Sequence, residues 1–191
     1  MPAPASTIPP GFDAALAALR RGGVVAYPTE GVFGLGCDPR DAAAVARLLA
    51  LKGRPASVGL ILIAAEFSQL APLLAPLDPK LEARAAATWP GPVTWVWPVA
   101  TGVDRGLTGG RDTLAVRVTA HPVAAALCHA FGGALVSTSA NRHGAAPALT
   151  AAEVERDFGT ALDAVINAPC GGRDKPTELR DVLTGTVLRP G

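Results

Sequence analysis

The sequence predicts an α/β domain built on a mixed sheet with flanking helices. Three observations carry that expectation. Segments with helical spacing alternate with short apolar runs along the whole chain. Some neighbouring strands have no helix between them, which a purely parallel sheet does not allow. No internal repeat, heptad or linker interrupts the alternation, and 191 residues suffice for one buried core.

The elements follow in order. "MPAPASTIPP" reads as a disordered lead over residues 1–10, leaving 11–191 as the domain. The lead lacks the basic and apolar regions of a signal peptide, so a cytoplasmic protein is expected. "GFDAALAALRRGG" has helical spacing at Phe12, Leu16 and Leu19 and closes on two glycines. "VVAYP" is a strand stopped by Pro28. "DAAAVARLLALKG" is a helix with Asp41 as its cap and Val45, Leu48 and Leu49 on one face. "LILIA" is a buried strand, and the apolar run 59–65 around it is far too short to span a bilayer. Helical stretches at 66–74 and 78–88 precede the strands "VTWVWPV" and "LAVRV". "HPVAAALCHAFGG" is a helix with Pro122 in its first turn and a glycine stop. "ALVSTSA", a helix over Ala151–Phe158, and the strands "AVINA" and "TVLRPG" complete the chain.

Composition excludes several classes of function. Much of the 49% hydrophobic content is alanine, and it has no membrane-spanning pattern. The net charge is +1 and aromatic residues make up 5%, which argues against a dedicated nucleic-acid binder but leaves room for a local cationic pocket. Cys37, Cys128 and Cys170 are scattered and odd in number, so they read as reduced, buried thiols. His121 reads as a helix cap, and His129 and His143 as surface residues; the three do not cluster as metal ligands.

Three segments carry candidate chemistry. There is no G-x-x-x-x-G-K-[ST] or post-strand G-x-G-x-x-G loop, and "TGGRDT" has the wrong spacing. "LALKGRP" places Lys52 one turn beyond Leu48 and Leu49, pointing inward, with Arg54 two residues on. A plain helix stop at Gly53 and Pro55 explains the same residues. "YPTEGVFGLGCDP" offers Thr29 and Glu30 before glycines that let a backbone approach a ligand, or it is a turn capped by Thr29. "ALVSTSAN" ends an apolar strand in Ser137, Thr138, Ser139 and Asn141, which are donors for an anion or a self-satisfied polar turn. Arg117, alternating with Val116 and Val118, requires an anion, and a structural carboxylate and a ligand serve equally.

"YPTEGVFGLGCDP", "LLALKGRPASVGLILIA", "WPGPVTWVWP", "LAVRVTAHP", "LVSTSANRHG" and "GGRDKPTELRDVLTG", in that order, resemble the threonylcarbamoyl-AMP synthase family of the TsaC/YrdC type. The resemblance runs from about residue 12 to "LRPG", and so is to the short bacterial form without an extra C-terminal domain. It implies a twisted sheet enclosing a deep cationic cavity. The implied activity condenses L-threonine, bicarbonate or CO2 and ATP to threonylcarbamoyl-AMP and pyrophosphate, with Mg2+ carried by ATP and no dedicated protein metal site. Partner proteins would then transfer the threonylcarbamoyl group to tRNA adenosine, and a weak direct tRNA contact is compatible with such a cavity.

The resemblance makes Lys52, Arg54, Ser139 and Asn141 a catalytic tetrad that also binds ATP. It puts Thr29, Arg117, Ser137 and Thr177 around threonine, and Thr113, Pro147 and Arg189 near ATP. His143 and Thr177 each stand where the family has serine; the second keeps the hydroxyl. In "TVLRPG", burial of Leu188 against a helix would turn Arg189 to the opposite side, where the resemblance places the nucleotide. Two rival functions are a carbamoyl-phosphate-using transferase of the same fold and an RNA-binding module.

Overall fold

The computed structural model describes residues 8–55, 57–142, 144–173 and 176–191, so residues 1–7 of the expected lead and His143 lie outside the described residues. The strands are β1 Val25–Pro28, β2 Phe33–Gly36, β3 Ile61–Ala64, β4 Val93–Pro98, β5 Thr113–Val118, β6 Leu135–Ser139, β7 Ala164–Val165, β8 Glu178–Asp181 and β9 Val187–Arg189. They join in one mixed sheet in the order β7-β1-β2-β6-β3-β5-β4-β8-β9. β3 pairs in parallel with β5 and antiparallel with β6, so the middle of the sheet changes direction.

The helices are α1 Phe12–Arg20, α2 Ala42–Lys52, α3 Pro79–Ala86, α4 Arg105–Thr108, α5 Pro122–Phe131 and α6 Ala151–Phe158. Their ends follow local chemistry. Asp41 accepts from the backbone N–H groups of Ala43 and Ala44, and His121 caps α5 by accepting from Ala124 N–H. Thr150 and Glu153 form a reciprocal capping box on α6.

The sheet packs on both faces. One face receives α2 through Val45, Leu48 and Leu49, together with Leu62, Val116, Trp95 and Trp97. Alternation along β4 sends both tryptophans to this side, where Trp89 stacks with Phe67 and with Trp97, and Phe67 is tilted against Trp97. Each indole N–H has an acceptor: Val93 O, Thr88 Oγ1 and Ala75 O for Trp89, Trp95 and Trp97. The other face receives α1 and α5 on Val25, Tyr27, Ile63 and Leu135. Each fully buried leucine in these two layers contributes about 1.5–3 kcal/mol.

Several expectations need correction. The stretch 66–74 is two 3-10 turns, Phe67–Gln69 and Ala71–Leu73. Pro72 lies inside the second turn and has no N–H for a continuous α-helix. "AVINA" reduces to two paired residues. β2, β8 and α4 were not anticipated. β2 is masked by glycines that make room for Tyr27: a Cβ on Gly36 would sit 2.7 Å from its ring and 2.4 Å from Val136 O. Leu188 is 53% exposed rather than buried, because β9 is the sheet edge. Cys37 and Cys128 are buried free thiols that burial pushes up to about 12, whereas Cys170 is only half-buried.

Candidate functional site

The polar end of β6 opens into a cavity of about 400 Å³. It lies on the face that α1 and α5 cover only in part. Leu135 and Ile63 are packed under those helices, while Ser137 and Ile61, the next register pair, line the cavity. Ser139 pairs with Gly34 of β2, whose missing side chain keeps the floor low beside Thr29 and Ser137. Thr29 is buried, and its hydroxyl donates to Val32 O at 2.7 Å, so it both closes the turn and lines the cavity. The turn contact therefore does not take Thr29 out of the cavity lining.

A second set of contacts fixes the rear of the cavity. α2 ends at Gly53 with φ 61°, and Arg54 N–H donates back to Leu49 O at 3.0 Å. That stop leaves Lys52 pointing inward and buried. Its ammonium donates to Ser139 O, to Asn141 O at 2.9 Å and to Asn141 Oδ1 at 3.2 Å. Ser139 Oγ donates to the same Asn141 oxygen at 2.5 Å, and Asn141 Nδ2 donates to Ala145 O at 2.8 Å. Burial, helped by nearby Arg54, pushes the Lys52 ammonium down to about 8. Lys52 and Asn141 therefore stand behind the lining, tied to Ser139, which faces the cavity. Arg54 lines the cavity directly while donating to Gly59 O at 2.9 Å.

The opposite wall is built on Arg117. Its buried guanidinium donates through Nη2 to Glu30 Oε2 at 3.1 Å and through Nη1 to Thr177 Oγ1 at 3.1 Å. Nε has no partner. Glu30 also accepts from Thr119 Oγ1 at 2.7 Å and from Ala120 N–H at 3.1 Å. Burial raises the Glu30 carboxyl, but Arg117 and these hydrogen bonds outweigh it and hold the group below the usual carboxylate range. The structural carboxylate expected for Arg117 is therefore Glu30, and the side chain also lines the cavity.

Thr177 and Arg189 line the same end, with Arg189 Nη2 donating to Thr177 O at 2.9 Å. Pro147 closes the lining on the side of Ser139. Thr113 is not brought to the lining; it lies on the Arg117 face of β5, four residues earlier, paired with Pro98. Two participants went unread. Glu30 was noticed only as a carboxylate in a turn. Arg173 lines the cavity because the loop after Gly171 is laced to the end of β1, through Gly171 N–H to Thr29 O at 2.9 Å and Arg173 N–H to Glu30 O at 3.0 Å. The "GGR" triplet was the available signal. Among the described residues no group of three or more His, Cys, Asp or Glu side chains could hold a metal ion.

The assembled surface offers hydroxyls and guanidiniums, and among the described residues the Glu30 carboxylate behind it is already paired with Arg117. Such a surface suits an anion-bearing ligand and, with no Ser-His or Cys-His pair among the described residues of its lining, positioning and charge stabilisation rather than a protein nucleophile.

Comparison with known proteins agrees with this reading of the architecture. A protein of Halorhodospira halophila named threonylcarbamoyl-AMP synthase is 64% identical over 175 residues, covering 92% of each chain. The structure titled P. abyssi Sua5 complexed with L-threonine superposes with a TM-score of 0.87 at 36% identity, over 94% of this chain and 54% of that one. This chain thus spans about half the length of that protein. E. coli YciO matches with a TM-score of 0.81 at 27% identity, covering 94% of this chain and 88% of YciO. The family Sua5/YciO/YrdC, described as "Telomere recombination", matches residues 17–191, and the chain belongs to that family.

Proposed function

We propose that this protein is a nucleotidyltransferase that makes L-threonylcarbamoyl-adenylate from L-threonine, bicarbonate or CO2 and ATP. The observation that carries the reading is the cavity itself. Arg54 and the Lys52–Ser139–Asn141 clasp stand at one end, and Arg117, Thr177 and Arg189 at the other. The relative named threonylcarbamoyl-AMP synthase and the threonine-bound Sua5 support the same assignment.

The chemistry asks little covalent work of the protein. The threonine nitrogen bonds to the carbon of CO2 and loses a proton, or to that of bicarbonate with a C–O bond breaking to release water; either way a carbamate forms. A carbamate oxygen then attacks the α-phosphorus of ATP, and the bond to pyrophosphate breaks with its electron pair on the leaving group. Arg54 and Lys52 oppose charge on the phosphates, and Ser139 and Asn141 orient the nucleotide, with Pro147 and Arg189 in the lining and Thr113 outside it. Thr29, Ser137 and Thr177 meet the threonine side, and Arg117 its carboxylate. Magnesium would arrive on the phosphate oxygens of ATP, which are the oxygen ligands it takes; among the described residues the lining adds only neutral hydroxyls such as those of Ser137 and Ser139. Bound there, it would share the phosphate charge. The product passes to proteins that transfer its threonylcarbamoyl group to tRNA adenosine, with any direct tRNA contact weak. Among the described residues no helix is long and apolar enough to cross a membrane, and the proposed site of action is the cytoplasm.

The test is pyrophosphate release by the purified protein with each component omitted in turn. Release should require L-threonine, bicarbonate, ATP and magnesium together. Equal release without threonine, or with carbamoyl phosphate in place of bicarbonate, assigns the cavity to the rival transferase.

A further inference from the structure

We propose that Arg173 is a substrate-binding residue of this cavity, with its guanidinium engaging an anionic substrate group at the end formed by Arg117, Thr177 and Arg189. The inference rests on the nucleotidyltransferase reading above and adds a residue to it.

The charge balance at that end carries the argument. Arg117 is buried and already paired with Glu30 at 3.1 Å, so the two together are close to neutral. Its other terminal nitrogen donates to the hydroxyls of Thr177 and Thr94. The positive charge not matched by the protein's described side chains therefore sits on Arg173 and Arg189, both in the lining. Gathering like charges costs free energy unless an anion shares the space. The guanidinium of Arg117 shows the strain: burial lowers its proton affinity, Glu30 opposes this, and Arg189 and Arg173 lower it further.

The backbone is built to hold Arg173 there. The two hydrogen bonds from Gly171 and Arg173 to Thr29 O and Glu30 O fasten the loop on either side of Gly172. Gly171 has to be glycine for this, because a Cβ would stand 2.8 Å from Glu30 O and 3.0 Å from Glu30 Cα. Gly172 adopts φ 76°, which turns the chain between the two fastenings. The backbone is fixed while the side chain is exposed at the cavity. A planar cation on a pinned backbone suits a carboxylate or a phosphate, since either accepts its paired N–H groups. The amino-acid carboxylate and the nucleotide phosphates are the two sources of such a group.

Calorimetric titration of wild type, Arg173→Ala, Arg173→Lys and Gly171→Ala with L-threonine, ATP and inorganic pyrophosphate, each alone, decides the matter. Arg173→Ala should melt like wild type and lose roughly tenfold or more in affinity for at least one ligand, the loss expected of a charge-assisted contact. Loss confined to threonine identifies the carboxylate, and loss for ATP and pyrophosphate identifies the phosphates. Arg173→Lys should recover only part of the affinity, and Gly171→Ala should weaken the same ligand as Arg173→Ala. If wild type binds these ligands and Arg173→Ala binds them all equally well, the role of Arg173 is overturned and the enzyme reading stands. If wild type binds none of them, both fail.

Discussion

Lys52 combines two tasks that both require its ammonium form, while burial disfavours that form. Its ammonium fastens three oxygens of the Ser139–Asn141 turn, and in the proposed reaction it also opposes phosphate charge. Lys52→Ala strands those acceptors, so stability should fall by about 1–3 kcal/mol while turnover falls at least about tenfold. Burial holds the folded value near 8, below the roughly 10.4 of an unfolded lysine. Between those two values the unfolded chain binds more protons, so this group's penalty on folding is full below about pH 8 and relieved as pH rises toward 10.4. Activity should move the other way, because a neutral amine no longer opposes phosphate. The pH profile of kcat/KM for ATP should therefore decline above about pH 8, and Lys52→Arg should lack that decline even if slower. A decline that survives in the arginine variant belongs to another group.

At the scale of elements, the edge strand β9 makes the sharpest test. Leu188 does not anchor it, since that side chain is exposed; the strand is held by pairing with β8 and by Arg189 donating to Thr177 O. Truncation after Leu188 should cost about 1 kcal/mol, or ~2–4 °C in melting temperature, and weaken ATP binding. Arg189→Ala should reproduce most of the binding defect, and equal affinities in an ATP titration would return Arg189 to solvent. The contrast with α2, α5 and α6 explains what could be read from sequence. Asp41, His121, Gly53 and Gly132 mark helix ends within a turn of the residues they cap, so those boundaries were legible. β2 and β8 were not, because their glycines and polar residues carry no apolar alternation, and each is held on one side by a neighbour and on the other by a partner far along the chain. Arg173 was missed for the same reason: its place depends on bonds to Thr29 and Glu30, some 140 positions earlier. Lys52, Arg54 and the Ser-Thr-Ser run could be found, since each breaks an apolar pattern where a buried element ends. Their convergence on one cavity is a tertiary fact that only the order of motifs suggested.

Over the whole molecule, a net charge of +1 conceals a cavity lined by Arg54, Arg117, Arg173 and Arg189. Composition could therefore argue against a nucleic-acid binder without revealing the anion site. The sheet also separates that site from every tryptophan in the chain. Trp89, Trp95 and Trp97 all belong to the core on the α2 side, while Thr94, between two of them, faces Arg117. This division has an optical consequence. Intrinsic emission should report melting of the α2-side core and stay nearly flat when ATP or L-threonine fills the cavity. The same ligands should raise the temperature at which that emission changes, because they bind only the folded chain. A large emission change on ligand addition at constant temperature would mean that the two faces of the sheet move together, turning a silent chromophore into a sensor of the opposite side.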